Sequence, residues 1–201
     1  MPTSSTQIVA LLAGASFAAG LNVYATLATL GLLARSGAVE LPPALHVVES
    51  WPVIVVALIM FVIEFFADKI PAFDLIWNGL HTFIRVPIAA LLAYGATSQM
   101  SPATQAIATV LGGSIAFAAH GSKTAVRAAV TPSPEPVSNI ALSMTEDVTA
   151  VSLTWFATKH PYWGAVIVAI LLVATVLTMR WMIRVLRRLY RRVFGRTVEQ
   201  T

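Results

Sequence analysis

The stretch WGAVIVAILLVATVLTMRW, residues 163–181, is almost entirely apolar, and a run of arginines follows it. The hydrocarbon core of a bilayer is about 30 Å thick, and a helix of about 20 apolar residues can cross it. The stretch therefore predicts a membrane-spanning helix. Because basic residues are retained on the cytoplasmic side of the membrane, this helix is expected to end in the cytoplasm.

The composition of the rest of the chain is also that of a membrane protein. Of the 201 residues, 57% are hydrophobic and 11% are charged, whereas soluble domains contain about 25% charged residues. The mean hydropathy of +0.78 excludes a cytosolic enzyme with a single apolar core. The chain contains no cysteine, which excludes disulfides, thiolate nucleophiles and thiolate metal sites.

Six apolar segments are predicted to cross the membrane, with prolines in the breaks between them. They cover approximately residues 7–33, 51–67, 73–94, 104–130, 137–158 and 163–181. An even number of spans places both termini on the cytoplasmic side, as a multi-pass protein of the bacterial inner (plasma) membrane. Helix breaks are expected at Gly20-Leu-Asn22 and at His120-Gly-Ser122, where freed backbone groups could contact a substrate.

Two similar hexapeptides indicate an internal repeat. Phe66-Ala-Asp-Lys-Ile-Pro71 resembles Phe156-Ala-Thr-Lys-His-Pro161, each near the end of the second span of one half. We predict an all-α integral membrane protein of six transmembrane helices in two three-helix repeats, residues 1–97 and 98–179. Because each copy has an odd number of spans, the second copy is inverted. The alternative is six spans of similar composition without duplication.

Ionisable side chains inside the predicted spans are candidates for function, because a charge at mid-bilayer costs at least about 2.5 to 3.5 kcal/mol. Many recur at helical spacing, and the predicted topology places them in the cytoplasmic half of the membrane. The predicted pathway residues are Asn22, Glu64, Asp68, Lys69, Asp74, Asn78, His81, Arg85, His120, Lys123, Arg127, Glu135, Asn139, Glu146 and Asp147.

These side chains are expected to face one another around a hydrated cavity that opens toward the cytoplasm at the repeat interface. Arg85 is expected to form a buried pair with Glu146 or Asp147, since each would otherwise be an unmatched charge. The carboxylates and His81 or His120 could take up protons. The alternative is that the polar groups only form interhelical salt bridges and caps.

The tail, residues 180–201, has the pattern of a basic amphipathic helix that lies on anionic lipid. The predicted headgroup contacts are Arg184, Arg187, Arg188, Arg191 and Arg192. Nucleic-acid binding is not expected. The sequence contains no phosphate-binding loop, zinc motif or serine-nucleophile motif, and its four histidines are scattered, so no cofactor, metal site or catalytic residue is predicted.

Together these features predict a membrane transporter or channel for an ion or small polar solute, possessing no enzymatic activity. One alternative is a non-transporting scaffold or lipid-interacting protein. A third interpretation, an enzyme acting on lipid through Glu64, Asp68 and His81, requires a lateral opening beside those residues. A homodimer is expected to form through the apolar sixth span.

Several short stretches of the chain resemble those of a known protein family, among them Glu64-Phe-Phe-Ala-Asp-Lys-Ile-Pro71, His81-Thr-Phe-Ile-Arg85 and Ser133-Pro-Glu-Pro136. With these stretches the chain resembles an uncharacterised bacterial membrane-protein family, catalogued as domain of unknown function 4126, over nearly its whole length except the tail. The resemblance implies an integral membrane protein and supplies no activity, substrate or catalytic residue.

Overall fold

The computed structural model describes residues 4–130 and 136–194, without the side chains of 71–75, 128–130, 136, 138, 139, 186 and 189–194. This part of the chain forms helices and contains no β-strand, as predicted. Its α-helices are α1 (Ser5–Leu21), α2 (Val23–Arg35), α3 (Trp51–Ala67), α4 (Pro71–Ala96), α5 (Pro102–Val130), α6 (Pro136–Lys159) and α7 (Pro161–Phe194). A 3₁₀ helix, Pro43–Glu49, lies between α2 and α3.

Prolines mark the start of four of these helices. Pro71, Pro102, Pro136 and Pro161 are the first residues of α4, α5, α6 and α7. A proline fits the first turn of a helix because its missing N–H would have no partner there. The segment limits predicted from the prolines therefore agree with the structure to within a few residues.

The first predicted segment is divided in two at Asn22, where α1 ends and α2 begins. The backbone of Asn22 is extended, with φ −149° and ψ 102°, and its Oδ1 accepts a hydrogen bond of 2.9 Å from Ala25 N. The predicted break at this position is confirmed. The predicted break at His120-Gly-Ser122 is wrong, since α5 continues through it and Ser122 Oγ donates to Ala119 O one turn earlier.

Helix α1 is the central element of the bundle. It packs against α4, α5, α6 and α7, and every residue from Gly14 to Leu21 is buried. The contact with α5 is close at Gly20, where an added Cβ would lie 2.5 Å from Ala116 O and 2.7 Å from Ala119 Cβ. A glycine is therefore required for this helix crossing.

Three of the described helices are long and apolar enough to cross a membrane. They are the segments Ile76–Ala96 of α4, Pro102–Arg127 of α5 and Pro161–Val185 of α7. A fourth span results if the 3₁₀ helix and α3, which are bent by 58°, are counted together. The chain thus has helices of the length and hydropathy of a membrane protein, and α7 lies on the outside, with 6% of its apolar window buried.

An apolar core occupies one end of the bundle. It includes Leu12 near the start of α1, Leu30 near the end of α2, Leu92 near the end of α4 and Ala108 near the start of α5. The opposite ends of these helices, where α1 ends and α2 begins, carry the polar residues.

We predict that Gly20→Ala lowers the free energy of unfolding by about 1 to 3 kcal/mol, because the new methyl group overlaps the backbone of α5. Gly79→Ala is the matched control, since no atom lies within 4 Å of its added Cβ and alanine favours a helix interior by up to about 1 kcal/mol. Thermal unfolding of both variants in one detergent tests this. Equal melting temperatures would contradict the close packing of α1 on α5.

Candidate functional site

Six charged side chains from α3, α4, α5 and α6 meet inside the bundle. We call them the ion-pair network: Glu64, Asp68, Arg85, Lys123, Arg127 and Glu146. The Glu146 side chain is 11% exposed, and the other five are at most 1% exposed. The polar residues predicted to converge on one another are thus together. Within the described part of the chain they are shielded from solvent, except that Glu146 lines a groove with Leu21, Val126 and Thr145.

Lys123 is the centre of this network. Its Nζ lies 3.4 Å from Glu64 Oε1, 3.2 Å from Asp68 Oδ2 and 3.2 Å from Glu146 Oε2. A buried ammonium group is costly unless it is paired and hydrogen-bonded. Here it contacts three carboxylates at once, so this single side chain links α5 to both α3 and α6.

The two arginines complete the pairing. Arg85 Nη2 donates to Glu64, while Arg127 donates to Asp68 Oδ2 at 2.9 Å and to Glu146. Each carboxylate of the network therefore contacts two cations. The predicted pairing of Arg85 with Glu146 or Asp147 is wrong. Arg85 pairs with Glu64 of α3, and Glu146 pairs with Arg127 of α5.

The helix break at Asn22 supplies a backbone acceptor to the network. In a continuous helix Leu21 O would accept a hydrogen bond from Ala25 N. Because Ala25 N donates to the Asn22 side chain instead, Leu21 O is available and accepts from Lys123 Nζ at 3.1 Å. The helix break thus leaves a carbonyl without its usual donor, and the buried lysine supplies that donor.

His120 accepts a charge-assisted hydrogen bond from the network. Arg85 Nη1 is 2.8 Å from His120 Nδ1, and an arginine can only donate, so Nδ1 must be the unprotonated nitrogen. The other nitrogen, Nε2, lies 3.0 Å from Asn78 O and 2.8 Å from Thr82 Oγ1. The contacts assign a neutral imidazole that orients the Arg85 guanidinium.

His81 has a similar arrangement on α4. Its Nδ1 is 2.8 Å from Trp77 O, which can only accept, and its Nε2 is 3.0 Å from Tyr24 OH. Both nitrogens of His81 are therefore occupied, with Nε2 as the acceptor from the tyrosine. This contact joins α4 to the start of α2.

Asp147 of α6 is buried beside the network, and no residue that the structure describes forms an ion pair with it. Its Oδ1 accepts from Asn22 Nδ2 at 2.8 Å, and its Oδ2 has no hydrogen-bond partner among the described residues. Asp147 also lines a groove between α3 and α6, together with Phe61, Phe65, Met144, Val148, Val151 and Ser152. This carboxylate thus differs from the three acids of the network.

Two groups at the end of α3 lie at the edge of the site. Burial raises the pKa of the Asp68 carboxyl, but the charges of Lys123 and Arg127 together hold that pKa below its ordinary value. Partial burial lowers the pKa of Lys69, whose Nζ donates to Phe65 O at 2.6 Å and lies over the ring of that residue. Lys69 therefore stands outside the ion-pair network.

The structure does not describe every predicted residue. The side chains of Asp74 and Asn139 lie outside the described residues, as do Glu135 and the side chains of Arg191 and Arg192. In the tail, Arg184, Arg187 and Arg188 are exposed near the end of α7. Their surface position is compatible with headgroup contact.

Two contacts of the site were not assigned from the sequence. Tyr24 binds His81, and Thr82 contacts His120. Thr82 follows Asn78 by one turn, so its place on the polar face of α4 could have been read from the helical spacing. No comparable signal identifies the partner of Tyr24, since it depends on the helix break.

We predict that Lys123→Met destabilises the fold by about 3 to 5 kcal/mol, because three buried carboxylates are left with two arginines. Lys159→Met is the matched control. Lys159 Nζ contacts Ala38 O on the exposed surface, and its loss should change stability by no more than about 0.5 kcal/mol. Unfolding of both variants in detergent measures the difference. A Lys123→Met protein as stable as the control would show that the side chains of the network do not carry the charges described above.

Comparison with known proteins gives one finding. No curated protein and no solved structure has significant similarity to this chain. The sequence model of the family described as Domain of unknown function (DUF4126) matches residues 9–181, which include every member of the ion-pair network. The chain therefore belongs to the DUF4126 family.

Proposed function

We propose that this chain is a membrane transport protein for an ion or small polar solute, and that the ion-pair network is the closed section of its pathway. The observation that carries the proposal is the position of the network, buried between helices and directly at a helix break. Buried ionisable groups and interrupted helices are the features that mark pathways in membrane transporters. Under this proposal the structure is a closed state, and solutes pass when the network separates.

The proposal includes six spans. With a rise of about 1.5 Å per residue, the 17 residues of α1 and the 13 of α2 extend about 26 and 20 Å, enough together to form one interrupted span. Helix α6 exposes the apolar side chains of Val137, Met144, Val148 and Trp155. Its carboxylates face the interior, which is the arrangement expected of a helix in lipid.

The inverted repeat is part of the same proposal. The two similar hexapeptides end at Pro71 and Pro161, which begin α4 and α7, the third helix of each predicted repeat. In the first copy the first helix is interrupted at Asn22, whereas the corresponding helix α5 is continuous. We propose that the two copies have diverged, and that the interrupted copy provides the backbone contacts of the pathway.

The orientation follows from the arginines at the end of α7. We propose that both termini are cytoplasmic in a bacterial inner membrane, with Arg184, Arg187 and Arg188 on anionic headgroups. The exposed apolar face of α7 is our proposed contact for a homodimer.

A second candidate is a non-transporting membrane scaffold, and the closed state of the network favours it. Every cation of the network is paired, and the side chains are shielded from solvent. Lipid chemistry is less well supported, since an enzyme would need an opening beside Glu64, Asp68 and His81, and all three are buried.

We predict that proteoliposomes containing the purified chain carry a flux of protons, sodium or chloride above that of empty vesicles. Arg85→Ala should lower this flux at least about tenfold, because the pathway is built around the Arg85 to Glu64 pair. Arg35→Ala is the matched control, since Arg35 is exposed and stacks on Trp51. The assay uses pH- and ion-sensitive dyes under an imposed potential, normalised to folded protein. Absence of flux for all three ions would favour the scaffold.

A second prediction concerns topology, and the cysteine-free chain allows it to be tested with single cysteines. Ser36→Cys and Ser101→Cys should react with an impermeant maleimide on intact spheroplasts, because six spans place both loops outside. Arg188→Cys should react only after permeabilisation. Labelling of Ser36 and Ser101 from opposite sides would refute the proposed spans.

A further inference from the structure

The described charges of the ion-pair network balance without Asp147. Three cations, Arg85, Lys123 and Arg127, face three carboxylates, Glu64, Asp68 and Glu146. Asp147 is a fourth buried carboxylate, and no described cation forms an ion pair with it. Lys69, at the edge of the site, acts on Asp147 without pairing with it, so a charged Asp147 would be a buried carboxylate without an ion pair among the described residues.

The contacts of Asp147 leave one oxygen available. Asn22 uses its Oδ1 to accept from Ala25 N, so its amide nitrogen must point at Asp147 Oδ1. The second oxygen of Asp147, Oδ2, is buried and has no partner among the described residues. A carboxylic acid carrying a proton on Oδ2 fits this environment, because it keeps the Asn22 hydrogen bond and avoids a buried charge without an ion pair.

Other charged groups around Asp147 act in both directions. Glu64 of α3 and Asp68 directly after it disfavour a negative charge on Asp147, whereas Lys123 and Lys69 favour one. Glu146 precedes Asp147 in α6 and is paired with Lys123 and Arg127. Helix α1 has no charged residue, α2 carries Arg35 at its far end, and the first charge on α7 is Arg180. Among the described side chains of α2 and α7, the tyrosines are Tyr24, at the His81 contact, and Tyr162, at the start of α7.

Both described histidines of the site already use the nitrogen that a proton would occupy. A proton on His120 Nδ1 would remove the hydrogen bond from Arg85, and a proton on His81 Nε2 would require the Tyr24 hydroxyl to turn from donor to acceptor. A metal cation is also a poor occupant, since no group of three or more His, Asp or Glu residues in the described chain could hold one. The amide that Asn22 presents to Asp147 is a donor and cannot bind a cation.

We propose that Asp147 is the proton-binding residue of this protein. The proton binds on Oδ2 and is released when Asp147 gains a cation or water as a partner. The role of Asp147 as the coupling site rests on the proposed transport function, but the binding of the proton does not. The groove between α3 and α6 gives small apolar reagents access to this carboxyl from the lipid side.

The decisive experiment compares the thermal unfolding of wild type and Asp147→Asn in detergent between about pH 5.5 and pH 8.5. Asparagine imitates the neutral acid, whereas the unfolded carboxyl of wild type ionises above about pH 4. The melting temperature of the variant should therefore exceed that of wild type by an amount that grows with pH and reaches about 2 to 4 °C at the high pH. A difference that does not change with pH, or a variant that is less stable throughout, would overturn the proposal.

Labelling identifies the residue. Dicyclohexylcarbodiimide adds to a protonated carboxyl, and mass spectrometry should find the adduct on Asp147, with more at low pH and none in Asp147→Asn. Glu40→Gln, a control at an exposed carboxylate outside the network, should keep the label. An adduct on Glu146 and not on Asp147 would count against the proposal. These readouts need no transport, so a proton site without liposome flux would refute the transport function alone.

Discussion

The position of one buried ammonium group, that of Lys123, determines how the rest of the site is arranged. It contacts three carboxylates and Leu21 O, and that carbonyl is available only because the chain breaks at Asn22 between α1 and α2. A continuous α1 would remove the acceptor, and a neutral residue at 123 would leave carboxylates of α3 and α6 facing one another. Since an unpaired buried charge is far more costly than a paired one, the helix break and the network depend on each other.

Most of the fold could be predicted from the sequence, because the boundaries of the helices depend on local chemistry. Prolines limit α4 to α7, and the stretch Gly20-Leu-Asn22 indicated the break that the Asn22 side chain caps. The second predicted break failed because Gly121 and Ser122 are compatible with a helix, and Ser122 bonds within it. Local signals do not distinguish a glycine that permits a break from one that is merely tolerated.

Which residues converge could also be predicted, but not how they pair. Helical spacing placed the charges of α3, α4, α5 and α6 on inward faces, and they do meet. Arg85 was assigned to the wrong acid because spacing within one helix carries no information about the neighbouring helix. The pairing depends on which helices are adjacent, which is a property of the packed bundle. The number of spans is likewise hard to read from hydropathy, because the polar residues on the inward face of α6 lower the mean hydropathy of that helix.

The closed network does not by itself separate a transporter from a scaffold, but its connectivity bears on the choice. Each of its carboxylates contacts two cations, so one ion pair can separate while the acid keeps its other partner. Transport requires two arrangements of similar free energy, because a pathway locked in one of them cannot turn over. A scaffold needs only the most stable pairing, for which a hydrophobic core is often as good or better. Shared partners, together with a fourth acid outside the balanced set, are therefore more readily explained by a site that rearranges than by one that only holds helices together.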